Sequence, residues 1–378
     1  MVVCVMLPTK LIHMIAAFAG ERRVIRALKY GMTPQQYRSF YMINSRTLIY
    51  GEVQSGKTAR LVQELTQSSL PCVLIIQNSC LLQQQYMDRL TGLGIEYQCV
   101  NNKTRVINKR NVIIMNNSYQ INKYTSLPTR HSSYNIILDE SDMTCKNPLR
   151  QNACNEIHVT ATPFINIYKN YFDKVVKVKT KQNYYGLDRV KILPTPVLNN
   201  TIDYHSIIES FQQHSKGMML INSINHIVNM TSTAKYIAKH FPTMPVLLLT
   251  TFKKIFLNHK ETRISTKNIS KILDGFKGNV IIIANRMSSR GISYTNSDYS
   301  RHITHQITTL TTAPQQRMTS FLQKCRIFGV YTDSPDPVLY VPEKCVPLVE
   351  QFKKKISDRS FLRGLLKEKP IDKMYTSI

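Results

Sequence analysis

The segment from Gly51 to Thr58 has the residue types and spacing of a phosphate-binding loop. It reads Gly-Glu-Val-Gln-Ser-Gly-Lys-Thr, a full match to G-x-x-x-x-G-K-[ST], and it follows an apolar run at residues 47–50. Glycines let backbone amides curl around phosphate oxygens, which the amino end of the following helix also attracts. In such a loop Lys57 reaches the β- and γ-phosphates and the Thr58 hydroxyl binds Mg²⁺. We therefore expect ATP and Mg²⁺ as ligands, and the residues expected to contact ATP are Gly51, Gln54, Ser55, Gly56, Lys57 and Thr58.

Two carboxylates, Asp139 and Glu140, follow the apolar run at residues 134–138. A carboxylate at the carboxyl end of a buried strand lies beside the phosphate loop in an open α/β sheet. We expect Asp139 to bind Mg²⁺ and Glu140 to polarise the attacking water. An acidic cluster on its own is usually a solvated turn. Downstream of a phosphate-loop lysine, it predicts the acidic partner of that loop.

The elements that must position these residues form a regular pattern along the chain. Short apolar runs without alternation are typical of strands buried on both faces, and longer mixed segments between them are typical of crossover helices. The expected strands are 47–50, 72–76, 112–115, 135–138, 157–160, 218–222, 246–249, 279–283, 303–307 and 327–331. The expected helices are 57–67, 81–90, 224–240, 264–276 and 314–325. This alternation predicts an α/β fold with parallel sheets.

The alternation is interrupted once, between residues 181 and 206, where tyrosines, prolines and an Asn-Asn pair replace it. We therefore expect two α/β domains, at residues 1–183 and 207–345, joined by a linker at 184–206. Residues 346–378 form a basic tail with Lys353, Lys354 and Lys355. A solvated amphipathic helix is the plain interpretation of this tail, and a nucleic-acid contact is the alternative.

The charge balance indicates the class of partner. The 378 residues are 43% hydrophobic, enough for real cores, and 50 Lys+Arg against 23 Asp+Glu give a net charge of +27. This excess predicts a polyanionic partner, nucleic acid before membrane, with contacts largely independent of base sequence.

Cysteine spacing and hydropathy indicate the cellular compartment in which the protein is expected. Eight cysteines without C-x-x-C spacing favour reduced thiols over zinc or a disulfide framework, which fits the nucleus or cytoplasm. No apolar run reaches the roughly 18 residues of a membrane span. The apolar segment 11–20 is interpreted as a buried helix rather than a signal peptide, because no basic region precedes it.

Further motifs occur in a fixed order, and with them the chain resembles a known family. The phosphate loop, Asp-Glu-Ser-Asp at 139–142 and Thr-Ala-Thr-Pro at 160–163 resemble motifs I, II and III of superfamily 2 helicases and translocases. Leu-Ile-Asn-Ser at 220–223, Ser-Arg-Gly-Ile-Ser at 289–293 and the segment 323–329 resemble motifs IV, V and VI. Residues 32–36 resemble the adenine-reading Q motif, so the resemblance spans residues 32 to 331.

The resemblance implies two tandem RecA-like domains with an ATP cleft between them, and ATP hydrolysis that depends on DNA or RNA. By the same resemblance Gln36 reads adenine, and Arg290 and Arg326 reach the nucleotide from the second domain. Arg326 is the expected arginine finger, which stabilises the transferring phosphoryl group, and Arg317 is the fallback. Thr160 and Thr162 are expected to couple nucleotide state to the grip on nucleic acid.

One branch of the family is the most similar. Gln54 before Ser-Gly-Lys-Thr and the tracts at 289–293 and 323–329 look most like the Z-one-type ATPase domain, and comparable stand-alone ATPases occur in large DNA viruses. This adds a virion or viral replication site to the expected locations. The chain departs from the usual motif VI, because Gly329 stands three residues after Arg326, where a second arginine is common.

Three other classes remain open at this point. One is a single-domain phosphate-loop kinase, in which the second-half motifs would have no role. Another is a DNA-packaging ATPase motor, which predicts one RecA-like domain plus a nuclease. The third is a non-hydrolysing nucleic-acid-binding protein with a helicase-like fold, against which intact Lys57 and Glu140 argue. Strand polarity, the choice of DNA or RNA and the oligomeric state are left open.

Overall fold

The computed structural model describes residues 45–144, 149–150, 153–162, 172–180, 182–199, 201–224, 226–250, 253–265, 268–284, 292–309, 317–330 and 337–357. Contacts divide these residues into two compact units. The first unit comprises residues 45–50, Ala59–Asn78 and the described part of Ile95–Lys177. The second comprises Gly51–Thr58, Ser79–Gly94 and the described residues between 178 and 357.

Strands and helices alternate along the first half of the chain, as the apolar runs predict. The elements are β1 (Ser45–Tyr50), α1 (Lys57–Gln67), β2 (Cys72–Ile76), α2 (Cys80–Gly92), β3 (Gln98–Cys99), β4 (Asn111–Met115), α3 (Ser118–Ser126), β5 (Tyr134–Asp139), α4 (Ser141–Thr144), β6 (Ala153–Thr160) and β7 (Lys174–Lys177).

The second half continues with shorter strands. Its elements are β8 (Tyr184–Tyr185), β9 (Lys191–Pro194), β10 (Val197–Leu198), β11 (Thr201–Ile202), α5 (Tyr204–Gln212), β12 (Met218–Ile221), α6 (Ile227–His240), β13 (Val246–Leu249), β14 (Lys253–Leu257), β15 (Lys260–Ile264), α7 (Ile269–Asp274), β16 (Val280–Ala284), β17 (His305–Ile307), α8 (Arg317–Lys324), β18 (Gly329–Val330), β19 (Val338–Val341), a 3₁₀ helix (Glu343–Cys345) and α9 (Val346–Ser357).

The first unit is built on a parallel sheet that, in the described part of the chain, has seven strands in the order β3-β4-β2-β5-β6-β1-β7. Every residue of β2 is buried, because both of its faces are covered. Tyr124 and Tyr134 meet edge to face with ring centroids 6.3 Å apart inside this core. The α/β class with a parallel sheet is therefore confirmed.

The second unit contains an eight-stranded sheet, counted over the described residues, in the order β15-β14-β13-β16-β12-β17-β19-β9. Its strands pair in parallel except for β14 and β15, which form an antiparallel hairpin at one edge. The turn of this hairpin is Asn258–His259, and both residues have positive φ, 47° and 61°. Positive φ at both central residues is the requirement of a type I′ turn, which matches the twist of a hairpin.

Several elements differ from the expectation. Residues 327–331 were expected to form a strand of the parallel sheet, and over the described residues 327–330 this is wrong: β18 pairs antiparallel with β8 in a separate two-stranded sheet. Residues 184–206, expected as a linker, contain β8 to β11, and β9 is the edge strand of the second unit's sheet. The helix expected at 264–276 is only α7, because Ile264 ends β15.

The last described element is α9, in the segment expected to be a basic tail. Val349 and Phe352 are buried, and the Phe352 ring lies 6.0 Å from that of Phe321. This helix thus packs by an apolar face and presents charged residues such as Lys354 to solvent.

The segment 11–20 and the residues after 357 lie outside the described residues. None of the described helices combines the length and apolarity that crossing a bilayer requires.

Candidate functional site

The phosphate-loop sequence begins at the residue after β1 and leads directly into α1, as the motif requires. The loop is a tight turn, in which the Ser55 backbone N–H donates to the Glu52 carbonyl at 3.1 Å. Gln54 and Gly56 have positive φ, 58° and 94°. No atom lies within 4 Å of a Cβ built on Gly56, so the left-handed backbone, and not crowding, requires glycine there. Gly51 differs, because an added Cβ would lie 2.7 Å from the Ser55 hydroxyl oxygen.

The Lys57 ammonium folds over the loop. Its Nζ donates to the carbonyl oxygens of Gly51, at 3.0 Å, and Glu52. The Ser55 Oγ is buried and, among the described residues, has no hydrogen-bond partner. A buried hydroxyl without a partner costs free energy, which an incoming phosphate oxygen would recover. The loop therefore contains both a lysine ammonium and a hydroxyl donor that a phosphate could bind.

The acidic pair lies at the carboxyl end of β5. Asp139 is the last residue of the strand and is partly buried, while the Glu140 that follows is 7% exposed. Glu140 has φ 48°, a conformation that costs a non-glycine residue about 1 kcal/mol or more and is concentrated at functional sites. The Thr144 hydroxyl donates to the Asp139 carbonyl at 3.1 Å and anchors the turn into α4.

Three strand ends of the first unit meet at one edge of its sheet. Tyr50 of β1 is in register with Thr160 of β6, and Asp139 of β5 is in register with Val159. The order β5-β6-β1 makes these strands neighbours. The acidic pair, the Thr-Ala-Thr segment and the strand that leads into the phosphate loop therefore end side by side. This is the edge of a parallel sheet at which ligands bind in open α/β folds.

The Thr-Ala-Thr segment is buried and internally bonded. The Thr162 backbone N–H donates to the Thr160 hydroxyl at 3.0 Å, and both threonines are fully buried. Pro163 lies outside the described residues. The coupling role expected of the two threonines remains a proposal, and their burial makes them structural parts of this turn as well.

An ion network supports β6 below this edge. The Glu156 carboxylate takes a bidentate pair from Arg150, at 2.6 and 3.1 Å, and a bond of 3.0 Å from Arg46 on β1. His158 lies 3.4 Å away and is completely buried. Burial alone would raise the pKa of Glu156, but the bonds from His158 and Arg150 and the arginine charges lower it to about 2. Burial lowers the pKa of His158, so this ring is neutral.

Arg326 lies in the second unit, two residues after the end of α8, and is 4% exposed. Its guanidinium donates to the carbonyl of Gln323 in the last turn of that helix. This bond is the one expected of an arginine that caps a helix carboxyl end. A finger role requires the guanidinium to leave this carbonyl for a phosphate, so the role is a proposal.

Sequence reasoning missed the group that holds Arg326. Gln306, in the middle of β17 and fully buried, accepts the backbone N–H of Arg326 at 2.8 Å and that of Ile327 at 3.0 Å. Its amide nitrogen donates to the Lys324 carbonyl at 2.8 Å and to Asn222 at 3.2 Å, and Asn222 also donates to the Lys324 carbonyl. The signal was available: a glutamine within an apolar run must find buried partners.

The phosphate loop is also bonded to other parts of the second unit, to which Gly51–Thr58 belongs. The Gln54 side-chain amide donates to the Arg326 carbonyl at 3.2 Å, and the Tyr184 hydroxyl donates to the Val53 carbonyl at 2.7 Å. Gln54 is thus bonded to the backbone of Arg326. Tyr184 is buried and its hydroxyl holds the loop.

Gln36, Arg290 and Pro34 of the motifs lie outside the described residues, and the side chain of Arg317 is likewise outside them. For Mg²⁺, the expected donors are the Thr58 hydroxyl and the Asp139 carboxylate. This set fits the ion's chemistry, since Mg²⁺ is usually held by one or two carboxylates, waters and substrate phosphates. Among the described residues, no three or more His, Cys, Asp or Glu side chains form a cluster.

No family model and no curated protein matches the chain. Solved structures do match. S. cerevisiae Dbp5 bound to RNA and ADP BeF3 superposes with a TM-score of 0.57 at 12% identity, covering 96% of this chain and 98% of that one. Mss116p bound to ssRNA and AMP-PNP gives 0.54 at 11% identity, covering 83% and 70%. The DEAH/RHA helicase HrpB of Escherichia coli gives 0.53 at 12% identity, and this chain, matched over 84% of its length, spans only 42% of HrpB. The chain therefore has an α/β fold similar to that of these structures, which consist of tandem RecA-like domains.

Proposed function

We propose that the protein is a nucleic-acid-dependent ATPase that acts as a superfamily 2 helicase or translocase on DNA or RNA. The observation that carries the proposal is the phosphate loop: a full motif between β1 and α1, with Gly56 in the left-handed conformation that the loop demands. The acidic pair, which ends β5 two strands away, is its second support.

In this proposal each residue of the loop has a separate task. Lys57 exchanges its bonds to the loop carbonyls for the β- and γ-phosphates, and Ser55 donates its hydroxyl to a phosphate oxygen. Thr58 and Asp139 hold Mg²⁺, which when bound neutralises charge on the phosphates. Glu140 orients the attacking water and accepts its proton.

Arg326 and Arg290 are proposed to act on the γ-phosphate from the second half of the chain. Gln306 and Asn222 fix the backbone on both sides of Arg326, and Gln54 bonds its carbonyl. To act on the γ-phosphate, the guanidinium would exchange its bond to the Gln323 carbonyl for a phosphate oxygen. Gln36 is proposed to read adenine.

Nucleic acid is the proposed partner for two reasons. The net charge of +27 favours a polyanion. The matched Dbp5 and Mss116p structures contain RNA. The finer assignment, a Z-one-type or stand-alone viral ATPase at a viral replication site, rests on the motif resemblance, and a location in the nucleus or cytoplasm rests on the cysteine spacing. We propose it on that basis.

The test is steady-state ATP hydrolysis with and without single-stranded DNA or RNA. Stimulation by either polymer is expected. A packaging-type motor would respond to duplex DNA instead, a kinase would transfer phosphate to an acceptor other than water, and a non-hydrolysing protein would bind polymer without turnover. Filter binding over a salt series is the companion test, and the affinity should fall steeply as salt rises.

A further inference from the structure

The outer side of α6 exposes aromatic rings and lysines together. Tyr236 and His240 are spaced i, i+4 on this helix, and so are Lys235 and Lys239. All four residues are exposed, with Tyr236 at 41%. The polar part of the helix carries no acidic residue, since 227–240 contains neither Asp nor Glu. This excess of positive charge is local and not merely an average over the chain.

The rings form a short ladder between α6 and α5. Tyr236 and His240 have ring centroids 4.4 Å apart at 44°, and His205 of α5 lies 6.1 Å from His240, edge to face. His205 also packs on Phe241 at 4.9 Å, and Glu209 bonds its Nε2 at 3.1 Å. These contacts fix the orientation of the rings, so ordering them for a ligand would cost little entropy.

The hairpin turn adds a further cation to the same end of the helix. The Asn258 backbone N–H donates to the Pro242 carbonyl at 2.8 Å, which ties the turn to the residues that follow α6. Lys260, two residues later, is exposed. Glu261, the acidic residue of this hairpin, pairs with Lys254.

This end of α6 is far from the residues that hold Arg326. The helix follows β12 and precedes β13, which are parallel, so its last turns lie over the amino ends of the strands. Asn222 follows the carboxyl end of β12. A helix of 14 residues is about 21 Å long, which separates the two regions within the unit.

We propose that this surface, the α6 face (His205, Lys235, Tyr236, Lys239, His240 and Lys260), binds single-stranded nucleic acid. Bases stack on the Tyr236 and His240 rings, and the three lysines pair with phosphates, the combination by which proteins bind single strands without sequence preference. An acidic protein segment would use the lysines but not the exposed rings. The proposal rests on the proposed function only in assuming a nucleic-acid partner.

A plainer role for the same charges must be separated from binding. Lys239 is in the last turn of α6, where a cation stabilises the helix through its interaction with the helix dipole. That role predicts a change in thermal stability and none in affinity for nucleic acid. Tyr236 has no part in it.

The first experiment measures fluorescence anisotropy of labelled oligothymidylate and oligouridylate with the full chain. Tyr236→Ala should weaken binding about fivefold to a hundredfold, as expected for loss of one stacked base, and Tyr236→Phe should bind like the wild type. Tyr119→Ala is the matched control, because Tyr119 is 59% exposed on α3 of the first unit. Photo-crosslinking of an iodouridine oligonucleotide should label the peptide that contains Tyr236.

The second experiment follows affinity over a salt series. Replacing both Lys235 and Lys239 by Gln should reduce the log–log salt slope by about 0.7 per lysine, whereas Gln at exposed Lys103 and Lys277 should change it less. If the Tyr236→Ala variant kept the wild-type affinity and the double-lysine variant kept the wild-type salt slope, the proposal that the α6 face binds single strands would be wrong. The proposal would also be wrong if polyglutamate displaced the labelled oligonucleotide as strongly as unlabelled oligonucleotide does. A protein that binds through Tyr236 but hydrolyses no ATP would instead contradict the proposed motor function and leave the α6 face standing.

Discussion

The backbone N–H of Arg326 donates to the side-chain oxygen of Gln306 at 2.8 Å, and this bond holds the backbone just after the end of α8. The same oxygen accepts the N–H of Ile327, while the Gln306 nitrogen binds the Lys324 carbonyl. One buried amide therefore takes the place of a strand ladder for three consecutive peptide groups. The backbone of Arg326 is thus held by Gln306, independently of the bond that its side chain makes to the Gln323 carbonyl.

Gln306→Leu is expected to destabilise the second unit. The substitution keeps the volume but leaves two buried N–H groups without an acceptor, each worth about 1–3 kcal/mol. The melting temperature should fall by several degrees, and ATP turnover should fall even where the protein remains folded. Gln213→Leu, at an exposed position after α5, is the control. Turnover unchanged in folded Gln306→Leu would mean that the amide does not position Arg326 for the reaction.

Lys57→Ala and Glu140→Gln should each lower kcat on the order of 10²-fold or more, because positioning and electrostatics supply most of phosphoryl-transfer catalysis. The two variants should differ in binding: Glu140→Gln keeps the lysine and should retain ATP, whereas Lys57→Ala should lose affinity. Steady-state ATPase rates and binding of a fluorescent ATP analogue measure the two quantities. Undiminished turnover in both variants would contradict the assignment of the loop.

The Glu156 network should make the first unit sensitive to acid. The folded-state pKa of Glu156 is about 2 against an ordinary 4.5, so its contribution is complete above pH 4.5 and is lost as pH falls toward 2. The shift corresponds to about 3 kcal/mol. Glu156→Gln should therefore lower the melting temperature at pH 7 and flatten its decline below pH 4.5.

A matched variant separates this network from an ordinary surface pair. Glu96 pairs with Lys109 at 2.9 Å, but its side chain is 75% exposed. Glu96→Gln should cost no more than about 1 kcal/mol and leave the acid limb of the melting curve unchanged. Equal effects of the two substitutions on circular dichroism melts would show that burial of Glu156 contributes nothing.

The sequence predicts the parallel core well, because continuous apolar runs leave few choices. The bounds of β2, β13 and α1 match the expected 72–76, 246–249 and 57–67. The β14–β15 hairpin was missed, since its strands are lysine-rich and its turn, Asn258–His259, lacks glycine. A turn of this composition is recognised only from the positive φ angles of its two central residues in the structure.

The error at residues 327–331 has a specific physical cause. The run Ile327 to Tyr331 has the composition of a buried strand, but the Ile327 N–H is taken by the Gln306 side chain and cannot join a ladder. A bond between residues 21 positions apart leaves no periodic trace in the sequence. For the same reason the motif could place Arg326 after a helix but could not show that Gln54 bonds its carbonyl.

Arg326→Ala tests the finger role most directly, because the backbone bonds to Gln306 and Gln54 do not involve the side chain. The substitution should leave the fold and nucleic-acid affinity nearly intact. If the guanidinium leaves the Gln323 carbonyl for the γ-phosphate, kcat should fall by roughly 10³-fold. If it only caps α8, the loss is limited to about 0.3–1 kcal/mol of stability, with turnover unchanged.

Arg326→Lys distinguishes geometry from charge. A lysine can still reach a helix carbonyl as a point charge, so the capping bond and the melting temperature should survive. It lacks the planar fork that spans two phosphate oxygens, so turnover should stay as low as in the alanine variant. Steady-state ATPase rates and thermal melts of both variants give the answer. Normal turnover in Arg326→Ala would assign the finger to Arg317 or Arg290. The role of Arg326 would then be structural, together with Gln306, at the carboxyl end of α8.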